Sequence, residues 1–198
     1  MSNIIPHKYE ITSTKRASQK KQKPLVIWFS GLSGSGKSTL ANLLEKKLFA
    51  EGFHTYVLDG DNIRLGLNKD LGFDQTSRNE NIRRIAEVCK LFLDSGLIVI
   101  AAFITPKKND RRIIQSVLND EYIEIFVDTP LEICENRDVK GLYEKARSGE
   151  ISNFTGVSCE FENPVSPDLH IKTDLEDVEE SIGRIFQYIH GRINENRK

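Results

Sequence analysis

Apolar positions along the chain alternate between short continuous runs and stripes of helical period. Residues 25–29, 55–58, 97–103, 122–127 and 168–173 form short apolar or β-branched runs that read as strands. The runs 25–29 and 97–103 are apolar throughout, as expected of parallel strands buried on both faces. Between them lie helical stretches. Residues 37–50 read as a helix broken at Glu51-Gly52. Residues 78–94 place Ile82, Ile85, Ala86, Cys89, Phe92 and Leu93 on one face. Ser77 and Glu80 look like a capping box at the start, and Ser95-Gly96 ends that helix. Thr105-Pro106 and Thr129-Pro130 read as cap plus first-position proline for two more helices. Asp174 is expected to cap a last helix with Val178, Ile182, Ile185, Phe186 and Ile189 as its buried stripe.

This order predicts an α/β chain: a three-layer α/β/α fold with helices on both faces of a mostly parallel five-stranded sheet. Residues 138–167 break the pattern. They are polar and hold Gly141, Gly149, Gly156, Pro164 and Pro167, which reads as a mobile lid. Residues 1–23 read as a peripheral arm, leaving 24–198 as one domain that carries the lid. Lys15, Arg16, Lys20, Lys21 and Lys23 make the arm basic, so a solvated, partly disordered stretch is expected, with docking onto an anionic partner or a neighbouring subunit as the alternative.

Across 198 residues, 28 Lys and Arg face 29 Asp and Glu, a net charge of −1. That balance argues against a broad nucleic-acid surface but leaves room for an aimed anion site. The longest apolar run, 97–104, is too short for a membrane span. Cys89, Cys134 and Cys159 show no disulfide or metal spacing, so a reducing cytoplasm is expected. Cys89 reads as core.

Gly31-Leu32-Ser33-Gly34-Ser35-Gly36-Lys37-Ser38 matches G-x-x-x-x-G-K-[ST] between a strand and a helix, the context this phosphate-binding loop requires. Its glycines let backbone N–H groups converge on phosphate oxygens, and the helix N-terminus adds partial positive charge. Lys37 would reach the β- and γ-phosphates and Ser38 would ligate Mg²⁺. The second strand ends at Asp59-Gly60-Asp61, on the sheet edge where ligands of such folds sit. Asp61 could accept a hydroxyl proton, organise Mg²⁺, or cap the next helix. Among Arg64, Arg78, Arg83 and Arg84, at least one is expected to hold an anionic acceptor, and others to pair with Glu80 and Glu87. There is no N-K-x-D base-reading motif of the switch GTPases. A short chain with a late polar lid fits a small-molecule kinase.

Four stretches carry a closer likeness: FSGLSGSGKST at 29–39, LDGDNIRLGLNKDLGF at 58–73, RNENIRRIA at 78–86 and DVKGLYEKARSGEISNFTG at 138–156. Through them the chain resembles the adenylylsulfate kinase (APS kinase) family from about residue 23 to 173. The resemblance implies transfer of the ATP γ-phosphate to the 3′-hydroxyl of adenosine 5′-phosphosulfate, a step of sulfate activation. It implies Asp61 near that hydroxyl. Arg64, Arg78 and Asn81 would lie on the phosphosulfate and ribose, and Phe73 and Phe154 around the acceptor adenine. Ile104, Lys140 and Leu142 would touch the acceptor. Gly31, Ser33, Gly34, Ser35, Gly36, Lys37, Ser38 and Thr39 would hold ATP. Arg137 would either stack on the ATP adenine or pair with Glu135 or Asp138. Mg²⁺ is the implied cofactor, and a homodimer is left open.

The chain departs from the family in three places. Thr105 stands where the family commonly has a serine able to form a phosphoserine, so direct transfer is favoured. Lys107-Lys108 replaces a common Tyr-Arg, and Glu160-Phe161-Glu162 a common Pro-Tyr-Glu. The rival readings are a kinase of the same fold acting on a related nucleotide, and a nucleotide-binding module without turnover.

Overall fold

The computed structural model describes residues 4–194. Five strands, β1 (Leu25–Ser30), β2 (Thr55–Asp59), β3 (Ile98–Ala102), β4 (Tyr122–Asp128) and β5 (Leu169–Lys172), pair in the order β2-β3-β1-β4-β5. Every pairing is parallel. Strand β1 lies at the centre, in register Ile27↔Ile100 on one side and Ile27↔Ile123 on the other. From β1 the chain goes out to the edge strand β2, returns to β3 beside β1, and then crosses to β4 and β5 on the other side. The strand order therefore reverses at β1, and ligand crevices open beside its carboxyl end.

The uniform burial of β1 has a simple cause: its alternate side chains feed two cores. Leu25, Ile27 and Phe29 face Leu40, Leu44 and Leu48 of α2 (Lys37–Ala50) and Ile185 and Ile189 of the last helix. Val26 and Trp28 face Ile82, Ile85, Cys89 and Leu93 of α4 (Gln75–Asp94) and Ile114 and Leu118 of α5 (Lys108–Leu118). A slip of one residue in β1 would exchange the two sets, so the register is strongly specified. A short helix, α3 (Gly60–Leu65), follows β2.

The arm corrects the expectation of solvated chain. Residues Ser13–Lys20 form a helix, α1, with Thr12 accepting the Lys15 amide. Ala17 is buried, Arg16 pairs with Asp94 at 2.7 Å, and the basic side chains Lys15 and Lys21 point to water. Gly96 explains the fit: at φ +85 it takes a conformation few side chains tolerate, and a Cβ there would stand 3.0 Å from the Ala17 nitrogen. Gln22 closes the joint. It is fully buried, donates to the carbonyls of His54 and Gly96 at 2.9 Å each, and accepts the His54 amide at 2.8 Å. Gln22→Ala should therefore lower stability by about 2–3 kcal/mol, because it leaves three backbone groups, one buried and two part-buried, without their partner. Urea unfolding checks this, and a midpoint unchanged from the parent would refute it.

Four helix starts also differ from expectation. Asp74, not Ser77, caps α4, accepting the Ser77 amide at 3.0 Å, and Glu80 turns to Arg83 and Arg84. Helix α5 begins at Lys108, past Pro106, with Lys107 at the cap and its amide held by Asp110 at 3.0 Å. Helix α6 (Leu131–Arg137) starts after Pro130, and the Thr129 hydroxyl is used elsewhere. The last helix, α8 (Val178–Ile193), is capped by Asp177, which accepts the Glu180 amide at 2.8 Å; Asp174 lies in the preceding turn. Each stretch offers several residues able to cap. The one used is set by where the chain must turn to lay the helix on the sheet.

Residues 138–167 hold one helix, α7 (Leu142–Arg147), and a small core in which Cys134, Tyr143, Ala146 and Phe154 are buried. Two of the three departures from the family's pattern meet there, Lys107-Lys108 and Glu160-Phe161-Glu162. Lys107 Nζ lies 3.6 Å from Glu160 and 3.3 Å from Glu162, and Glu162 also accepts the Lys108 amide at 2.7 Å.

Candidate active site

All the loops that carry candidate chemistry leave the same, carboxyl-terminal edge of the sheet. The loop after β1 begins at Gly31, with φ +146, where a Cβ would stand 2.4 Å from the Val127 carbonyl oxygen. Only glycine fits this approach of two backbones. Gly34 and Gly36 also have positive φ, and Gly36 caps α2. Lys37 is 8% exposed and donates to the Leu32 carbonyl at 2.5 Å and the Ser35 hydroxyl at 3.4 Å. Burial brings its pKa down from 10.5 to about 8, against the opposing pull of Cys134 and Asp59. The buried ammonium is curled back on its own loop and held there by these two oxygens. Ser38 begins the exposed rim of the loop and donates to Asp59 at 2.7 Å; Thr39 follows it, also exposed.

Asp59 is a residue that reasoning from the sequence passed over. It caps α3 by accepting the Asp61 amide at 3.0 Å, and its other oxygen holds Ser38. That leaves Asp61 free of the capping role considered for it. The Asp61 carboxylate instead forms an ion pair with Lys140, which arrives from the lid. This contact holds the Lys140 pKa above its ordinary value. The signal for Asp59 was present: it ends β2 itself, whereas Asp61 stands two residues on, in α3.

The remaining candidates divide into two groups. Arg64 donates to the carbonyls of Leu71 and Gly72 at 3.1 Å each and lies over the Phe73 ring at 4.3 Å. Burial, then the neighbouring Arg78 charge, lower its pKa. Phe73 is 60% exposed, so core packing does not explain it. Arg78 binds the Phe73 carbonyl at 2.8 Å, the Thr155 hydroxyl at 2.8 Å and the Asn153 carbonyl, so one guanidinium joins the segments that carry Phe73 and Phe154. Asn81 is buried and accepts from Asn68 at 2.9 Å. Phe154 is buried, edge-on to Tyr143 at 5.0 Å. Arg83 pairs with Glu80, and Arg84 with Glu80 and Asp70.

Around the donor loop the picture is one of support. Arg137 forms neither of the ion pairs considered for it. It donates to the Gly34 carbonyl at 3.3 Å and the Thr173 carbonyl at 2.9 Å, while Glu135 pairs with Arg147. Asp138 accepts the amides of Leu142, Tyr143 and Glu144 at 2.8–3.1 Å and so builds the start of α7. Ile104 accepts the Gly31 amide at 3.2 Å. Thr105 is not a helix cap. Its hydroxyl is buried, accepts from the Trp28 indole at 2.8 Å and donates to the Phe103 carbonyl at 3.3 Å. Its φ of +51 is strained for a β-branched residue, a sign of a loop held in place by its surroundings.

Among the described residues no group of three or more His, Cys, Asp or Glu could hold a metal alone. The paired oxygens of Ser38 and Asp59 do suit a hard cation completed by phosphate and water. Nor is any helix of the described residues long and apolar enough to cross a membrane.

Comparison with known proteins fits this geometry. The adenylylsulphate kinase family model matches residues 23–172. A probable adenylyl-sulfate kinase of Halalkalibacterium halodurans is 53% identical over 191 residues, covering 96% of this chain and 95% of that protein. The adenylyl-sulfate kinase of Marinobacter nauticus is 51% identical over 193 residues, with 97% of each covered. The solved APS kinase of Mycobacterium tuberculosis in complex with AMPPNP and APS superposes with TM-score 0.82 at 44% identity, over 85% of this chain and 98% of that one. With the family model spanning most of the domain and full-length relatives above half identity, the chain belongs to the adenylylsulphate kinase family.

Proposed function

We propose a division of labour for the reaction this family catalyses. The chain is a kinase that phosphorylates the 3′-hydroxyl of adenosine 5′-phosphosulfate with ATP as donor, giving 3′-phosphoadenylyl sulfate. The observation that carries the assignment of roles is the ion pair between Asp61, beside the donor loop, and Lys140 of the lid. It marks one place where donor loop, acceptor loop and lid converge.

Gly31, Ser33, Gly34, Ser35, Gly36, Ser38 and Thr39 cradle the triphosphate, and Lys37 neutralises charge on the transferred group. Ser38 and Asp59 supply oxygen ligands for a Mg²⁺ ion, whose chemistry when bound is to neutralise phosphate charge. The edge of Arg137 is engaged with Gly34 and Thr173, leaving its plane to stack on the ATP adenine. Arg64, Arg78 and Asn81 take the acceptor's phosphosulfate and ribose, forks matched to oxyanions. Phe73 and Phe154 flank its adenine, with Ile104, Lys140 and Leu142 completing the contact.

In the transfer, the 3′-oxygen bonds to the γ-phosphorus as the bond to the ADP oxygen breaks, and the hydroxyl proton passes to Asp61. The buried, doubly bonded Thr105 hydroxyl favours direct transfer over a phosphoenzyme. The test is incubation with ATP labelled at the γ-phosphate and a panel of nucleotide acceptors. Label is expected at the 3′-position of adenosine 5′-phosphosulfate and lost with its 3′-deoxy analogue. Faster transfer to another acceptor, or binding of both nucleotides without transfer, would refute the assignment.

A further inference from the structure

The donor loop is held from outside as well as from within. Four consecutive carbonyls, those of residues 32–35, each accept a side-chain hydrogen bond. Leu32 takes Lys37 Nζ at 2.5 Å, and Ser33 takes the Tyr143 hydroxyl at 2.9 Å. Gly34 takes Arg137 at 3.3 Å, and Ser35 takes the hydroxyls of Thr129 at 3.1 Å and Thr173 at 3.0 Å. A trans peptide is planar, so its C=O and the following N–H point in opposite directions. A carbonyl pinned outward therefore turns the next N–H inward. The bond to Ser33 sets the Gly34 N–H in this way, and the bonds to Ser35 set that of Gly36.

Tyr143 differs from the other outer donors. Arg137, Thr129 and Thr173 lie next to the sheet edge, but Tyr143 is in lid helix α7. Its own amide is fixed by Asp138 at 3.0 Å, and its ring packs edge-on against Phe154 at 5.0 Å. Lys140, which reaches Asp61, stands one turn before it. The residue is 2% exposed, so the hydroxyl has little water to fall back on. Burial also pushes its pKa up, which keeps the hydroxyl a donor at any working pH.

We infer that Tyr143 is a positioning residue that aims the Gly34 N–H at the donor phosphates and couples occupancy of the donor loop to the placement of the lid over the acceptor. Coupling of this kind is reciprocal: acceptor binding must tighten the donor site by the same factor as donor binding tightens the acceptor site. The inference rests on the donor loop being the ATP site.

The experiment is Tyr143→Phe, which keeps the ring in its core and removes only the hydroxyl. Affinity for AMPPNP with Mg²⁺ is measured by calorimetry with and without saturating adenosine 5′-phosphosulfate. The variant should bind AMPPNP about three- to tenfold more weakly, the size of one net hydrogen bond. The acceptor should enhance AMPPNP affinity in the parent, and in the variant that enhancement should fall towards one; a parent without it overturns the coupling. In turnover, KM for ATP should rise by a larger factor than kcat falls. A merely structural hydroxyl would lower the melting temperature and leave the enhancement intact. A second measurement needs no variant: in the parent, AMPPNP alone should slow amide hydrogen exchange in α7 as well as in the donor loop. Unchanged affinity and enhancement in the variant, or protection confined to the donor loop and α2, overturns the role of Tyr143 alone. A parent that fails to bind AMPPNP overturns the donor site as well.

Discussion

Lys37→Met should raise the stability of the nucleotide-free protein while lowering kcat/KM by at least about 10³-fold. The two effects share one cause. The ammonium is buried behind the donor loop, and its pKa falls from 10.5 to about 8. That difference corresponds to a penalty of roughly 3 kcal/mol on the charged form in the folded state. Methionine fills similar space without the charge, so the penalty disappears, and a gain of up to about 3 kcal/mol is expected near pH 7. The donor loop meanwhile loses the one cation aimed from within it at the transferred group.

The pH dependence provides the check. Below about pH 8 the lysine is protonated in both folded and unfolded chains, and the penalty is fully present. Between about 8 and 10.5 the unfolded chain still holds a proton that the folded chain has released. Stability then rises with pH. Urea midpoints across this window should climb in the parent more steeply than in Lys37→Met. Parallel curves would refute the burial argument, and a folded variant with parental turnover would refute the role in catalysis. Nucleotide binding should reverse the depression, because phosphate beside the ammonium favours its charged form. Binding of AMPPNP near pH 8.5 is therefore expected to take up protons in the parent and fewer in the variant.

The parts of this molecule legible in its sequence are those with many residues voting together. Strand β1 showed as an unbroken apolar run because both its faces are buried, and α2 showed because the loop motif fixes its start. The arm was misread because its docking rests on Ala17, Gln22 and a glycine 74 residues beyond Gln22, and no hydrophobic period announces such a joint. The caps at Thr105, Thr129 and Asp174 were misread for a related reason. Each residue is able to cap, but Thr105 is occupied by Trp28 and Thr129 by the donor loop. In the candidate site, the turn from β1 into α2, with its positive-φ glycines, was legible because the motif encodes a backbone shape. The supports were not. Thr129, Tyr143 and Thr173 act on backbone carbonyls 94, 110 and 138 residues away, and a carbonyl leaves no trace in a sequence.

Asp61→Asn should lower kcat by about 10²–10⁴-fold, the range of a general base, with little change in the affinity for AMPPNP. The stability should hardly move. Asp61 and Lys140 have side chains 66% and 59% exposed, and an ion pair so well solvated contributes at most about 1 kcal/mol. The amide is isosteric and still accepts from Lys140, so the lid keeps an anchor while the proton acceptor is lost. The competing explanation is that Asp61 matters only as that anchor. Lys140→Ala separates the two, because it removes the same ion pair and leaves the carboxylate in place. If Asp61 receives the hydroxyl proton, Lys140→Ala should act mainly on KM for the acceptor and cost far less in kcat than Asp61→Asn. Equal losses of kcat in the two variants would make Asp61 a tether for the lid, and the proton would need another acceptor. Asp59 is the nearest alternative, but it already holds Ser38 at 2.7 Å and the Asp61 amide at 3.0 Å. Among the described residues both Asp59 oxygens already accept protein hydrogen bonds, whereas Asp61 is engaged through Oδ2 alone, by the exposed Lys140, so the larger loss is expected at Asp61.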